Sequence, residues 1–416
     1  MTPLNLLSHL SLNLSFEDWH TDNSWSTFSY HIPFLTSLTS LSIALNFSQG
    51  FTQKGFTCLF SSLSKLPFLT AFNLEALGSQ VLNFPTVLSL FENLKGLQDF
   101  QDLTLRLGNC RHLKPDGQDP FALALGLAFL NPSSFRKLSL EFYSNFSDSD
   151  LSKLFPVIQG FPLLASLSLR FTQYDQARTK GLINPPSTLS QLPSLAHLNL
   201  AINPAIDSGY FFEVISPCLK NLKDLISIQL MSWTTKEIKN PAVLDFCSQL
   251  SHLSQLEHLD LSLNVGSSLG EKCIENLCEA LLNLTGLKTF QLSFQGDKRM
   301  DEKIFERLIL SFGQLKRLRE LKFSFWSCLD LSQRILEALT TSLRSLSCLD
   351  KVEFDFRKPL KEKDAEIYEN LIRMLESFEI LTEISLKLPQ FQGHQYSEEL
   401  LQRVGNGTKY SRIHWT

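Results

Sequence analysis

Two stretches, LAHLNLAIN at residues 195–203 and LEHLDLSLN at 256–264, decide how the chain is read. In each, apolar residues alternate over the second half, as the inward side chains of a half-buried strand must. Related runs begin at Leu10, Leu41, Phe72, Leu103, Leu138, Leu167, Leu198 and Ile228, and again at Leu259, Phe290, Leu321, Val352 and Ile384. Most steps between these anchors are 31 residues; the exceptions are 35 then 29 around Leu138, 30 before Ile228 and 32 before Ile384. Periodicity of that length marks a stacked repeat, in which each unit buries its apolar side only against its neighbours.

With the anchor as position zero, the columns acquire physical meaning. Positions 0, +2 and −3 are apolar in all thirteen units, position −6 fails only at Pro132, and position −9 is apolar from Ile32 through Leu375. At 43% hydrophobic residues, one such column should arise by chance on the order of once in 10⁵ trials. Positions −16, −13 and −9 have amphipathic-helix spacing, as in Phe305, Leu308 and Phe312 or Leu336, Leu339 and Leu343. Positions −6 and −3 carry the turn from helix to strand. Strands regained through helical crossovers are parallel. Parallel strands lie about 4.8 Å apart and packed helices about 8–10 Å, so the stack bends with its strands on the concave side. The expected fold is a right-handed α/β solenoid of thirteen to fourteen units over residues 1–416, with a parallel β-sheet on the concave face and α-helices on the convex face.

The pattern resembles leucine-rich-repeat proteins of the ribonuclease-inhibitor-like class. The best copies are LAHLNLAIN, LEHLDLSLN and LTSLSIALN at 38–46. The resemblance implies an Asn after each strand that bonds exposed backbone, but that slot holds Asn only at Asn46, Asn203 and Asn264. Elsewhere it holds Ser15, Leu77, Gly108, Tyr143, Thr172, Trp233 or Trp326, among others, and those turns should vary. Trp233 and Trp326 stand just past their strands in this reading. Similar long, Phe-rich arrays are found alone or attached to a kinase domain.

Composition excludes several classes. Formal net charge is −4 with no basic or acidic tail, which gives no electrostatic footprint for nucleic acid or an anionic membrane. No run reaches 18 apolar residues, so no membrane span is expected. Eight scattered cysteines without a CxxC pair read as reduced, mostly buried thiols, and favour the cytoplasm. Cys247 and Cys278 share a helix register but lack further ligands for zinc. Neither a metal nor a cofactor is expected, and no Gly-rich phosphate loop follows a strand. The basic run Lys316–Arg319 falls at a turn and reads as solvated.

Polar columns −1, +1 and +3 face outward from the sheet. Position +3 carries Glu75, Arg106, Glu141 and Arg170 in successive units, a strip of alternating sign. Position +1 is a ladder of hydroxyls and amides that includes Asn199, Gln229 and Asp260, with His258 beside the last at position −1. His258 and Asp260 have the spacing of a base and its orienter, but no nucleophile is evident beside them. Those eight residues are the candidate partner-binding set.

Two segments interrupt the pattern. Residues 108–134 contain GNCRHLKPDGQDP and read as an extruded loop, and Gln173–Pro186 replaces part of one helix. Residues 390–416 read as a last unit with Ile413 as a fourteenth anchor and Trp415 at +2. The chain opens within a unit, with Leu4 and Leu7 at −6 and −3, so an upstream segment or a neighbour capping that edge is expected. The functional expectation is a non-enzymatic scaffold that binds a protein partner through the concave face. Its rivals are a regulatory or substrate-recruiting segment of a larger enzyme, such as a kinase or ubiquitin ligase, and a structural subunit of a large assembly.

Overall fold

A computed structural model describes residues 6–15, 22–46, 52–77, 82–108, 122–146, 148–174, 189–202, 208–233, 240–264, 271–295, 301–326, 331–356, 365–388 and 412–415. The chain forms two compact units, Met1–Ala205 and Ile206–Thr416. In the first, strands β1 (His9–Asn13), β2 (Ser40–Ala44), β3 (Ala71–Ala76), β4 (Asp102–Gly108), β5 (Lys137–Phe146), β6 (Ser166–Tyr174) and β7 (His197–Ile202) lie side by side in chain order. All their pairings are parallel and join anchor to anchor, Leu10 to Leu41, Leu41 to Phe72 and onward to Leu167 with Leu198. Helices α1 (Asp22–His31), α2 (Gln53–Leu63), α3 (Phe84–Leu94), α4 (Ala122–Leu127) and α5 (Asp148–Gln159) alternate with them.

The second unit repeats the plan with β8 (Ser227–Trp233), β9 (His258–Asn264), β10 (Thr289–Gln295), β11 (Glu320–Trp326), β12 (Lys351–Asp355), β13 (Glu383–Leu388) and β14 (Arg412–Trp415). Its helices are α6 (Ser208–Leu219), α7 (Asn240–Leu250), α8 (Glu271–Asn283), α9 (Glu302–Phe312), α10 (Gln333–Arg344) and α11 (Ala365–Glu376). In both units the apolar columns form the core between strands and helices, and Leu41, Ile43, Leu259, Leu261, Phe305 and Leu308 are all buried.

The columns at −9, −6 and −3 are three apart because the backbone there winds three residues per hydrogen-bonded step. Leu66 N–H donates to Leu63 O and Leu69 N–H to Leu66 O; Leu315, Leu318, Leu346 and Leu349 repeat the pattern toward residues 312, 315, 343 and 346. That 3₁₀-like spacing returns a side chain to the same side at every step. Where Pro132 occupies −6, Ser134 N–H bonds Asn131 O instead.

Strand entry is also fixed by backbone. The N–H groups at −2 and −1 of one repeat both donate to the −2 carbonyl of the repeat before. Thr39 and Ser40 meet Ser8 O at 2.8 and 3.0 Å, and Asp350 and Lys351 meet Arg319 O at 2.8 and 2.9 Å. Helix starts align as well. Thr52 and Asn83, 31 residues apart, cap α2 and α3, and Asp301 and Ser332 cap α9 and α10. Each cap oxygen accepts an otherwise orphaned N–H of the first turn.

Four details differ from the sequence reading. The 108–134 insertion is not all loop, since α4 occupies Ala122–Leu127, while residues 109–121 and 175–188 lie outside the described set. Trp233 and Trp326 end β8 and β11 rather than following them. The β5–β6 pairing slips between Phe142 and Asn145. Ile413 pairs with Leu386 and Trp415 with Leu388, so they sit at +2 and +4 instead of 0 and +2. An alternating pattern fixes which side chains face inward but not a shift by a whole two-residue period.

Close packing sets the sensitive positions. A Cβ on Gly126 would lie 2.0 Å from the Phe91 ring, so α4 approaches α3 only because that residue is glycine. Phe323 is covered, with ring centroids of Phe312, Phe305 and Phe354 at 5.1, 5.5 and 6.5 Å. Truncation by Phe323→Ala should cost about 3–5 kcal/mol. The loss should appear in urea unfolding as a lower midpoint.

Candidate functional site

The strip read from the sequence is assembled in the first unit as a chain of ion pairs running across β3 to β6. Register places Glu75, Arg106, Glu141 and Arg170 opposite one another on consecutive strands. Arg106 Nη1 lies 3.3 Å from Glu75 Oε2, and its Nε lies 3.2 Å from Glu141 Oε2. Arg170 Nη1 reaches Glu141 Oε1 at 3.3 Å. Glu141 is the most enclosed member, its side chain 11% exposed against 50% for Arg106. A carboxylate so covered is tolerable because the Arg170 guanidinium and a hydroxyl donate to it and the Arg106 guanidinium pairs with its charge.

That hydroxyl belongs to Tyr143, which donates to Glu141 Oε1 at 2.5 Å. Sequence reasoning missed it, having seen Tyr143 only as an occupant of the irregular Asn slot. The available signal was parity: two residues beyond +3, a side chain stays on the same face wherever the strand continues, and β5 runs on to Phe146. Burial, then the bond to and charge of Glu141, push the Tyr143 phenol above its ordinary value, against Arg170 and Arg106. At the other end Asn46 Nδ2 donates to Glu75 Oε1 at 2.5 Å while its Oδ1 accepts from Leu77 N–H at 2.8 Å. Ser15 supports the same ladder one repeat earlier, its Oγ accepting from Asn46 N–H at 3.2 Å. Asn203 falls outside the described residues.

Two asparagines of the first unit, the candidate Asn199 and its +1 counterpart Asn73, have a different character. Asn73 Nδ2 donates to Ser42 Oγ at 3.0 Å. The Oδ1 atoms of Asn73 and Asn199 are covered and meet no hydrogen-bond donor.

In the second unit Gln229 Nε2 donates to Asp260 Oδ2 at 2.7 Å and Ser262 Oγ donates to Asp260 Oδ1 at 3.0 Å. His258 Nδ1 and Thr289 Oγ1 are hydrogen bonded at 2.8 Å across the strands. The structure thus sets a hydroxyl beside the imidazole, where the sequence suggested none. Asp260, the orienter the spacing suggested, accepts from Gln229 and Ser262 instead. Glu257 is 4.0 Å from His258 Nε2, beyond hydrogen-bond range, and is held by Lys288 Nζ at 2.7 Å. The hydrogen bond to Lys288 lowers the Glu257 carboxyl below its usual range.

The neighbouring charges alternate too. Lys322 Nζ is 3.0 Å from Glu320 and 4.0 Å from Glu353, and Lys387 Nζ is 2.6 Å from Glu353. Partial burial pulls the Lys322 ammonium down, but the bond to Glu320 and the charges of Glu320, Glu353 and Asp260 outweigh it and hold it above the usual lysine range.

Among the described residues no three His, Cys, Asp or Glu side chains converge as a metal site. Cys218 and Cys247 are buried thiols, each pushed up to about 12 chiefly by burial. They are therefore protonated and poorly nucleophilic near neutral pH.

No family model matches the chain. It is 33% identical over 172 residues to the Leucine-rich repeat-containing protein 14 of Xenopus laevis, a match covering 40% of this chain and 31% of that protein. The chain therefore spans about a third of that relative's length. Among solved structures it is similar to the Rad7 and Elc1 complex of yeast, at 16% identity and a TM-score of 0.39, covering 94% of this chain and 82% of that one.

Two sets of outcomes are expected of these side chains. Glu141→Ala strands two guanidinium groups and should lower the unfolding free energy by about 3 kcal/mol, toward the low end for a broken buried pair because Arg106 is half exposed. Tyr143→Phe should cost about 1 kcal/mol in the same urea titration. The buried thiols give the second. In the unfolded chain Cys218 and Cys247 ionise near their ordinary value of 9.0 and in the folded chain near 12, so stability should fall as pH rises from about 9. Iodoacetamide at pH 8 should label exposed Cys348 while leaving Cys218 and Cys247 unmodified until the protein unfolds, as peptide mapping would read.

Proposed function

We propose that this leucine-rich-repeat solenoid is a non-enzymatic scaffold that holds a protein partner against its outward strand faces. The observation that carries the reading is the ladder Glu75–Arg106–Glu141–Arg170. It presents one polar side chain per strand, in register, already held by neighbours. Side chains fixed before contact lose little further freedom on binding, which is what a rigid recognition surface needs. Alternating sign at the spacing of the strands also selects by charge register, since a partner displaced by one strand meets like charges. Asn199, Gln229, His258 and Asp260 extend the candidate set on the faces of their own units. No helix among the described residues is long and apolar enough to cross a membrane.

The His258–Thr289 pair is read as a cross-strand bond and not as catalytic machinery, because among the described residues no third side chain orients the ring. The cytoplasm is the compartment this reading assumes.

Affinity capture from native extract with the full chain tests it. The unaltered protein should retain a stoichiometric protein partner. Arg106→Gln with Arg170→Gln should weaken that retention at least tenfold while circular dichroism shows an unchanged fold. Retention that is indifferent to both substitutions would remove the strip from the interface.

A further inference from the structure

The outward face of the second unit is not flat. Gln291, Lys322 and Glu353, all at +1, and the short +3 side chains Ser262, Ser293 and Ser324 line a trough. The trough has a volume of about 480 Å³ and is lined also by Asp355 and Lys387. That volume lies within the range of sites that enclose small ligands or a few side chains. From β9 to β13 the trough crosses five strands, about 19 Å at the parallel spacing.

Its polar groups divide into two kinds. The charges are committed to one another: Glu353 takes Lys387 at 2.6 Å and faces Lys322 at 4.0 Å, and Lys322 also bonds Glu320 at 3.0 Å. The lining charges, Lys322 and Lys387 against Glu353 and Asp355, sum to zero. Ser262 is engaged as well, donating to Asp260. Among the described residues, the hydroxyls of Ser293 and Ser324 and the carboxamide of Gln291 meet no hydrogen-bond partner. A charged occupant would gain no net attraction here. An uncharged one with donors and acceptors would meet three groups that offer both.

The geometry points to an uncharged, hydrogen-bonding segment of a partner polypeptide as the occupant, about six extended residues rich in Asn, Gln, Ser or Thr. This deepens the scaffold reading and rests on it. A neutral oligosaccharide would share the hydrogen-bonding chemistry, but sugars gain most from an exposed aromatic face. The aromatic ring in this lining, Phe323, is 1% exposed beneath the serines.

The test pans a display library of random 12-residue peptides over the full chain, with a panel of neutral oligosaccharides in parallel. Enriched peptides should be uncharged and carry amide or hydroxyl side chains. Their affinity should change less than twofold between 0.1 and 0.5 M salt, the mark of few charged contacts, to order of magnitude. Ser324→Trp, which fills the trough, should reduce binding at least tenfold. Ser293→Ala with Ser324→Ala, which keeps the fold and removes only two hydroxyls, should reduce it several-fold. Enrichment of strongly charged peptides with steep salt dependence, binding by oligosaccharides alone, no binding at all, or indifference to both sets of substitutions would each overturn the proposal. If a captured partner depends on Arg106 and Arg170 but not on Ser293 and Ser324, the trough reading falls while the scaffold reading stands.

Discussion

A repeat of this kind cannot bury its own apolar columns. One strand, one turn and one helix leave the side chains at 0, +2, −3, −6 and −9 facing a single side, and only the next repeat covers them. Everything else follows from that dependence. The strands must pair in register so that Leu41 lies against Leu10 and Phe72, and the helices must begin at matching points, as the caps Thr52 and Asn83 do. The −9, −6 and −3 columns must come three apart because the intervening backbone winds in three-residue steps. Stability is then a sum of neighbour contacts, so a cavity at Phe323 weakens one neighbourhood rather than a central core.

What was legible in the sequence is what that burial constrains. The strand anchors, their register and the outward strip Glu75–Arg106–Glu141–Arg170 could be read because each depends only on counting from the anchor. What was not legible depends on how far an element runs or on where a free hydroxyl lands. Tyr143 joins Glu141 only because β5 continues past its usual length, and no column signals that extension. Thr289 and His258 share position −1 in neighbouring units, so their pairing could be counted, but the bond between their side chains could not. Ile413 was placed two residues off because alternation has a period of two, and the helix Ala122–Leu127 was hidden by the turn formers before it.

The two described faces solve the problem of outward polar groups differently. In the first unit an enclosed carboxylate is neutralised by its neighbours, which leaves a stiff chain of charges with Glu141 at its centre. In the second unit the charges pair with one another and short hydroxyls are left uncommitted beside them. Stiffness suits recognition by charge register, and a trough of uncommitted hydroxyls suits recognition by hydrogen bonds. An array can therefore carry more than one kind of contact surface without altering its core.

The shared acceptor at position −2 bears on how such a protein changes over time. Ser8, Thr39, Thr70, Gln101, Arg136 and Ala165 all supply that carbonyl, although their side chains have little in common. A hydrogen bond made by main-chain oxygen survives every side-chain replacement at its site. Strand entry is thus insulated from sequence drift. The vulnerable partner is the N–H: proline at −2 or −1 would delete a donor. Divergence at these positions should accordingly run through nearly the whole amino-acid alphabet and stop at proline.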